Sequence, residues 1–177
     1  MAWGFRHMQA EDGGSVYLRL TTRQIEQPRR RIEPALGEAI LAGGYWLKEP
    51  QPGTDLAIAF CGAVAPEVQE AAEALADDLP GLGILNVVSA DRLYADWRRR
   101  GPQSHAAGLL APLAPGAALV TVCDAHPLTL SWLGSVTGRM PISSAVRTAL
   151  LRQKAKELMR EFSRIAIPTA ARNGRLC

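Results

Sequence analysis

The chain has 177 residues and a mass of 19.1 kDa, and 47% of the residues are hydrophobic and 21% charged. This length and composition predict one globular domain with a sizeable core and exclude collagen-like, disulfide-dense and wholly disordered proteins. The net charge of +3 is uneven: residues 1–138 carry 11 Lys/Arg and 15 Asp/Glu, and residues 139–177 carry 9 and 2. No stretch approaches the roughly 20 apolar residues of a membrane span and no signal-peptide pattern opens the chain, so we expect a cytoplasmic protein with no membrane partner.

The first 54 residues give a weaker structural signal than the rest. Residues 3–9 are typical of the end of a helix, which the Asp12-Gly13-Gly14 run breaks. Alternating apolar and polar residues over 15–22 predict a strand. Residues 23–54, rich in proline and glycine, are predicted to connect two units, with Tyr45-Trp46-Leu47 forming either a short strand or an anchor onto another surface.

From residue 55 onward the pattern is that of a parallel sheet. Pro66 opens a predicted helix whose apolar positions recur as far as Leu79. A loop and a short helix are predicted over 89–97, and another helix has Pro127 in its first turn. The alternation of strands and helices implies crossover connections, and the predicted fold class is α/β, a three-layer domain with a mainly parallel sheet. The predicted strands are Leu56–Phe60, Gly83–Val88 and Ala118–Cys123.

Two groups of polar residues follow predicted strands, where open α/β sheets place their ligands. Asp124 and His126 are weak catalytic candidates, because a carboxylate near an imidazole can orient it for acid–base chemistry. The same side chains can instead cap the next helix or form a structural interface. Ser89, Asp91 and Arg92 form either an anion-binding or interface loop, or a turn closed by its own side chains.

The sequence indicates neither a metal centre nor a nucleophilic cysteine. Cys61, Cys123 and Cys177 are odd in number and far apart, and they form neither a disulfide framework nor a Cys-x-x-Cys site. Strand alternation directs Cys123 away from Asp124, so Cys123 and Cys61 are interpreted as buried structural residues. Neither Gly-Gly pair continues as a phosphate loop, and no Gly-Asp-Gly motif followed by Asn is present to hold magnesium and a diphosphate.

Six segments of the sequence are considered together, in the order in which they occur along the chain: Gly14–Ile25, Gly44–Leu47, Gly62–Glu67, Ser89–Leu93, Val120–Pro127 and Trp132–Val136. Together they resemble the C-terminal part of the single-chain, homodimeric pyruvate dehydrogenase family. This family is the thiamine-diphosphate-dependent decarboxylating component of its complex and is related to transketolase. The resemblance covers roughly residues 1–138.

The resemblance implies a domain organisation. Residues 1–25 correspond to the last helix and strand of a pyrimidine-binding domain, 26–54 to its exit linker, 55–138 to the transketolase C-terminal α/β domain and 139–177 to a divergent basic tail. In the family, other regions hold the diphosphate, the magnesium ion and the glutamate that activates the aminopyrimidine. We therefore expect this chain to bind no cofactor or metal itself and to carry no catalytic residue.

The expected function is that of a C-terminal fragment which supports the dimer and is inactive alone. Its parent enzyme would use thiamine diphosphate and magnesium to decarboxylate pyruvate, or a similar 2-oxo acid, oxidatively. The expected partners are a second copy of the chain, the missing cofactor domains and, by resemblance, the pyruvate dehydrogenase complex. The alternative is a stand-alone regulatory or interaction module on the same fold. Nucleic-acid binding through the basic tail has less support, because the body is mildly acidic.

After Gly138 the resemblance ends. Three interpretations of residues 145–167 remain open. The segment forms a solvated helix that lies on the body, or it forms an arm that binds nucleic acid or a membrane surface. In the third, evolution has not selected the segment to be part of the fold. One coding of Pro141–Ala145, read in another frame, gives Asp-Gln-Phe-Gly, which is similar to the continuation of the family and suggests a frameshifted C-terminus. On that hypothesis the body lacks the last strand and helix of the family.

Overall fold

Residues 2–26, 29–138 and 142–145 are described by the computed structural model, and five strands among them form one sheet. The strands are β1 Gly44–Lys48, β2 Thr54–Cys61, β3 Gly83–Val87, β4 Leu113–Cys123 and β5 Ile142–Ala145. Their order across the sheet is β1-β3-β2-β4-β5. β1 pairs antiparallel with β3, and every other neighbouring pair is parallel. The predicted α/β class with a mainly parallel sheet is confirmed.

Helices lie on both faces of this sheet. The alternation of β2 directs Ile58 and Phe60 to one face and Ala57 and Ala59 to the other, and all four are buried. Full burial of a side chain such as Ile58 or Phe60 contributes about 1.5–3 kcal/mol. The first face packs against α3, and the second packs against α4, α5 and α6, so the domain has three layers. The helices are α1 Ala2–Gln9, α2 Pro34–Ala42, α3 Ala65–Ala74, α4 Ala90–Arg100, α5 His105–Leu110 and α6 Leu133–Thr137, with short 3₁₀ helices at Gly101–Gln103 and Pro127–Leu130.

The segment before residue 54 contributes to the sheet. Gly43, with a φ of 112°, lets α2 turn directly into β1. The carbonyl oxygen of Gly43 accepts hydrogen bonds from the N–H groups of Val88 and Ser89 at 2.9 and 3.0 Å. Of the two forms predicted for residues 45–47, the structure has the strand, and it lies at the edge of the same sheet as β2 to β5.

Residues 15–22 are not a strand, and the prediction of one was wrong. Within the described ranges, no strand pairs with them and their backbone is irregular. Alternation of apolar and polar residues gives a strand one apolar face. A strand also needs a neighbouring strand whose backbone N–H and C=O groups form hydrogen bonds with its own. Here Arg19 of the segment and the neighbouring Arg23 form side-chain ion pairs with Asp124 and Glu67.

The helix that begins near Pro66 is shorter than predicted. It ends at Ala74 rather than near Leu79. The N–H of Leu75 donates to the oxygen of Ala72 and the N–H of Ala76 to that of Glu73, three residues back. This tightening is typical of a final helical turn. The apolar periodicity persists because Leu75 stays buried in the turn that follows.

The tail supplies one further strand, which the frameshift hypothesis did not predict. Backbone atoms of Ile142–Ala145 pair parallel with β4, from Val120 to Cys123, so the expectation that the body lacks a further strand after residue 138 was wrong. A strand can form here because the free side of β4 offers unpaired backbone groups. The predicted helix over 145–167 lies outside the described residues. No helix in the described part of the chain is long and apolar enough to cross a membrane.

Candidate functional site at the carboxyl edge of the sheet

The parallel strands β2, β3 and β4 end at one edge of the sheet. Ser89 follows β3, Gly62 follows β2 and Asp124 follows β4. We refer to residues 61–67, 88–92 and 124–126 as the carboxyl edge. Because β2 lies between β3 and β4, the two predicted groups of site residues are two strand spacings apart, about 10 Å. The structure therefore places both groups on the same edge without joining them into one cluster.

Ser89 and Asp91 form a turn closed by their own side chains. The Ser89 hydroxyl donates a 2.6 Å hydrogen bond to Oδ1 of Asp91. This bond is the main reason why the pKa of Asp91 lies below its usual value, with backbone N–H groups of the first turn of α4 and the charge of Arg92 adding to the effect. Burial of the carboxyl acts in the opposite direction. The arrangement satisfies the carboxylate internally and fixes the start of α4.

Arg92, the third residue of this group, contacts α1. Its guanidinium lies 4.4 Å from the centre of the Trp3 ring, and Trp3 in turn stacks on His7 with ring centres 4.8 Å apart. A guanidinium over an indole face is attracted by the ring quadrupole, by about 0.5–1 kcal/mol at an exposed site. Arg92, the positively charged residue of this group and its best candidate for binding an anion, thus holds the N-terminal helix α1 against α4.

Asp124 and His126 make separate contacts. The Asp124 carboxylate lies 3.9 Å from the Arg19 guanidinium. Nδ1 of His126 accepts a hydrogen bond from the N–H of Leu128 at 3.3 Å and so caps the 3₁₀ helix over 127–130. Among the described residues, no hydrogen bond joins Asp124 to His126, so the structure does not assemble the carboxylate–imidazole pair that acid–base chemistry would use.

A buried ion pair at this edge was not predicted from the sequence. The Arg23 guanidinium contacts Oε1 of Glu67 at 2.6 Å, and Glu67 is only 6% exposed. Arg23 also donates to the carbonyl oxygen of Ala63 at 3.4 Å. Glu67 lies in the first turn of α3, where the free N–H groups and the helix dipole favour a negative charge. No local pattern indicates this pair, because its members come from distant parts of the chain.

Together these contacts place the N-terminal segment, residues 2–25, over the carboxyl edge. Trp3 holds it beside β3, Arg23 holds it at the turn from β2 to α3, and Arg19 holds it beside β4. Each acidic side chain at the edge is engaged by a neighbour. The described residues contain no group of three or more His, Cys, Asp or Glu side chains that could hold a metal ion.

An apolar groove of about 410 Å³ lies elsewhere on the domain, between α5, α6 and the start of β4. Trp97, Leu110, Leu113 and Val136 contribute to its walls, and no titratable side chain lines it. The groove is therefore not an extension of the carboxyl edge.

Cys61 and Cys123 are brought together by the sheet. They are register partners at the ends of β2 and β4, and each side chain belongs to the core on the face of α4 to α6. Cys123 is buried, as interpreted from the sequence, and Cys61 is partly exposed. Their pairing was missed because 61 residues separate them in the sequence.

The chain matches no family model, and no curated protein sequence matches it. Among solved structures it is similar to transketolase from Leishmania mexicana, with 17% sequence identity and a TM-score of 0.43. The match covers 71% of this chain and 19% of that transketolase, so the chain spans about a fifth of its length.

Proposed function

We propose that this chain is a non-catalytic C-terminal module of a thiamine-diphosphate-dependent dehydrogenase of pyruvate or a related 2-oxo acid. In this role it pairs with a second protein chain, either another copy or one that carries the cofactor domains. The observation that carries the proposal is the covered carboxyl edge. Ligands of open α/β sheets bind at this edge, and here residues 2–25 occupy it through contacts of Trp3, Arg19 and Arg23.

The residues at this edge do not fit thiamine diphosphate and magnesium. A magnesium–diphosphate site needs several free oxygen ligands around one point. The Asp91 carboxylate accepts from Ser89, the Glu67 carboxylate pairs with Arg23, and Asp124 faces Arg19. These carboxylates come from three different connections. We therefore assign this chain no step of the decarboxylation.

The outer side of the N-terminal segment supports the idea of a protein partner. Tyr17, Leu18 and Leu20 are 87%, 53% and 76% exposed, and Phe5 on α1 is 60% exposed. Large apolar side chains that lie close together on a surface are typical of interaction sites. The six segments that resemble the pyruvate dehydrogenase family point to the kind of assembly in which such a surface is covered.

Two measurements test the proposal. Calorimetric titration of the full chain with thiamine diphosphate and Mg²⁺ is expected to give no binding heat, and micromolar binding would overturn the assignment of a non-catalytic module. Sedimentation velocity over a wide concentration range is expected to show dimers or larger species.

The matched variants are Leu20→Lys, within the exposed apolar surface, and Leu128→Lys, an equally charged change at a 64% exposed leucine of the capped 3₁₀ helix. Leu20→Lys is expected to shift the chain toward monomer, and Leu128→Lys to leave the distribution unchanged. A monomeric wild-type chain at every concentration, also after cofactor domains of a pyruvate dehydrogenase are added, would contradict the proposal.

A further inference from the structure

The ends of β2 and β4 place two thiols side by side. Cys61 and Cys123 are register partners in a parallel ladder. Both side chains point to the face of the sheet that also carries Ala57, Ala59 and Leu119. Neighbouring strands lie about 4.8 Å apart, which falls within the range of Cα separations, about 4.4–6.8 Å, that a disulfide spans.

Each cysteine is the last residue of its strand, so a change in their distance need not disturb the middle of the sheet. Beyond them the ladder is already loosening, since the N–H of Asp124 reaches the oxygen of Cys61 at 3.4 Å. Gly62, which follows Cys61, has a φ of 84°. The backbone here can therefore adjust to a covalent link more easily than at the centre of β2 or β4.

The two thiols differ in acidity. A hydrogen bond from the Cys61 thiol lowers the pKa of Cys123 to about 7, helped by a backbone N–H and by the charge of Arg19. The same hydrogen bond and burial raise the pKa of Cys61. When Cys123 is protonated, its thiol donates hydrogen bonds to the carbonyl oxygens of Ala125 and His126, which lie 3.7 and 3.4 Å from the sulfur. The lowered pKa increases the fraction of Cys123 that is the nucleophilic thiolate at neutral pH.

The two thiols differ in exposure. Cys123 is 1% exposed, whereas Cys61 is partly exposed. Hydrogen peroxide is hardly larger than water, so it needs less access to a sulfur than a bulky disulfide reagent does.

The geometry points to Cys61 and Cys123 as a redox-active dithiol that a hydroperoxide converts to a disulfide. The Cys123 thiolate attacks the peroxide, takes up one oxygen as a sulfenic acid and releases hydroxide. Cys61 then loses its proton and attacks the Cys123 sulfur, forming the S–S bond and expelling hydroxide. Two protons, one from each thiol, convert the two hydroxide ions to water. Two thiols and one peroxide therefore give one disulfide and two waters.

The experiment uses the full chain and its Cys177→Ser variant, because Cys177 is a third thiol that can compete. After treatment with hydrogen peroxide, unfolding, alkylation and digestion, mass spectrometry should find the peptides of Cys61 and Cys123 linked, with the loss of two hydrogens. Phosphine reduction should restore both thiols. The rate of Cys123 oxidation should rise with pH around a midpoint near 7.

Cys61→Ala and Cys123→Ala are the test variants, also in the Cys177→Ser background. In Cys61→Ala, Cys123 should react roughly tenfold more slowly at pH 7, because no side-chain donor is left to stabilise its thiolate, and it should proceed to sulfinic acid. In Cys123→Ala, Cys61 should stay reduced. Oxidation that links only Cys177, or that leaves Cys61 and Cys123 fully alkylated after peroxide treatment, would overturn the proposal. Equal oxidation rates of Cys123 in the Cys61→Ala variant and its parent would do the same.

Discussion

The Arg23 guanidinium meets the Glu67 carboxylate at 2.6 Å, where the N-terminal segment crosses the first turn of α3. Oε2 of Glu67 is buried and has no hydrogen-bond partner among the described residues. The ion pair with Arg23 is thus the main interaction that offsets the cost of burying the Glu67 carboxylate away from water. One side chain of the covering segment both fixes its position and neutralises a charge inside the domain.

Replacing Arg23 with alanine is expected to lower the free energy of unfolding by about 1–3 kcal/mol, because a buried carboxylate loses its partner. Arg23 is 32% exposed, so solvent screens part of the attraction and keeps the effect below that of a fully buried pair. Urea unfolding at pH 7 measures it. The control is Arg31→Ala, since Arg31 pairs with Glu33 in an exposed position and its loss should change little. Adding Glu67→Gln to Arg23→Ala should recover part of the stability, and an unchanged or lower value would contradict the explanation.

Replacing Arg92 with alanine is expected to loosen α1. The guanidinium of Arg92 lies over the Trp3 ring, and losing about 0.5–1 kcal/mol of attraction corresponds to roughly two- to fivefold faster local opening. Amide hydrogen exchange over residues 2–9 is the measurement. Arg98→Ala removes a stacking arginine from the same helix, one that faces Tyr94 instead, and should leave α1 unchanged. Identical exchange in both variants would show that the contact with Trp3 does not hold the helix.

Replacing Ser89 with alanine is expected to raise the pKa of Asp91, because the main hydrogen bond to its carboxylate is lost. A carboxyl whose pKa is lower in the folded than in the unfolded chain stabilises the fold above the unfolded value, about 3.9, and this contribution disappears as pH falls through the folded value. The stability difference between wild type and Ser89→Ala should therefore be largest at neutral pH and shrink in acid. Carboxyl ¹³C chemical shifts followed with pH give the pKa directly. A difference in stability that grows on acidification would contradict this account.

Replacing Gly43 with alanine is expected to cost about 2–4 kcal/mol. The φ of 112° strains any residue with a Cβ, and that atom would lie 2.7 Å from the oxygen of Ser89. Gly53→Ala is the matched control, because Gly53 also has a positive φ, 80°, but open space around its Cβ position. Gly53→Ala should cost only about 1 kcal/mol. Chemical denaturation of both variants separates the effect of backbone strain from that of steric conflict. An equal loss of unfolding free energy in the two variants would mean that the contact with Ser89 is not important.

The sequence predicts the centre of this fold well and its margins poorly. Apolar runs at β2, β3 and β4 belong to strands buried on both faces, so composition alone reveals them. Residues 15–22 have a suitable alternation but no neighbouring strand, and β5 was missed because its formation depends on the free side of β4. Both wrong predictions depended on whether another strand lies alongside the segment, and a local sequence pattern gives no information about that.

The candidate site shows the same division. Placement of Ser89 and Asp124 on one edge follows from parallel strands, and the bond from Ser89 to Asp91 lies within reach of local reasoning. The contacts of Arg23 with Glu67 and of Cys61 with Cys123 join residues 44 and 62 positions apart. Such pairs become visible only once strand order and register are known.

The central position of β2 also sets an order of assembly. Ala57 pairs with Gly83 in β3 and with Leu119 in β4, and the second partner is more than twice as far along the chain. Because a longer loop costs more entropy to close, we expect β2, α3 and β3 to form first and β4 to dock onto that half-sheet afterwards. During synthesis one side of β2 stays open until β4 has left the ribosome, and in this interval the nascent chain is most exposed to pairing with another copy.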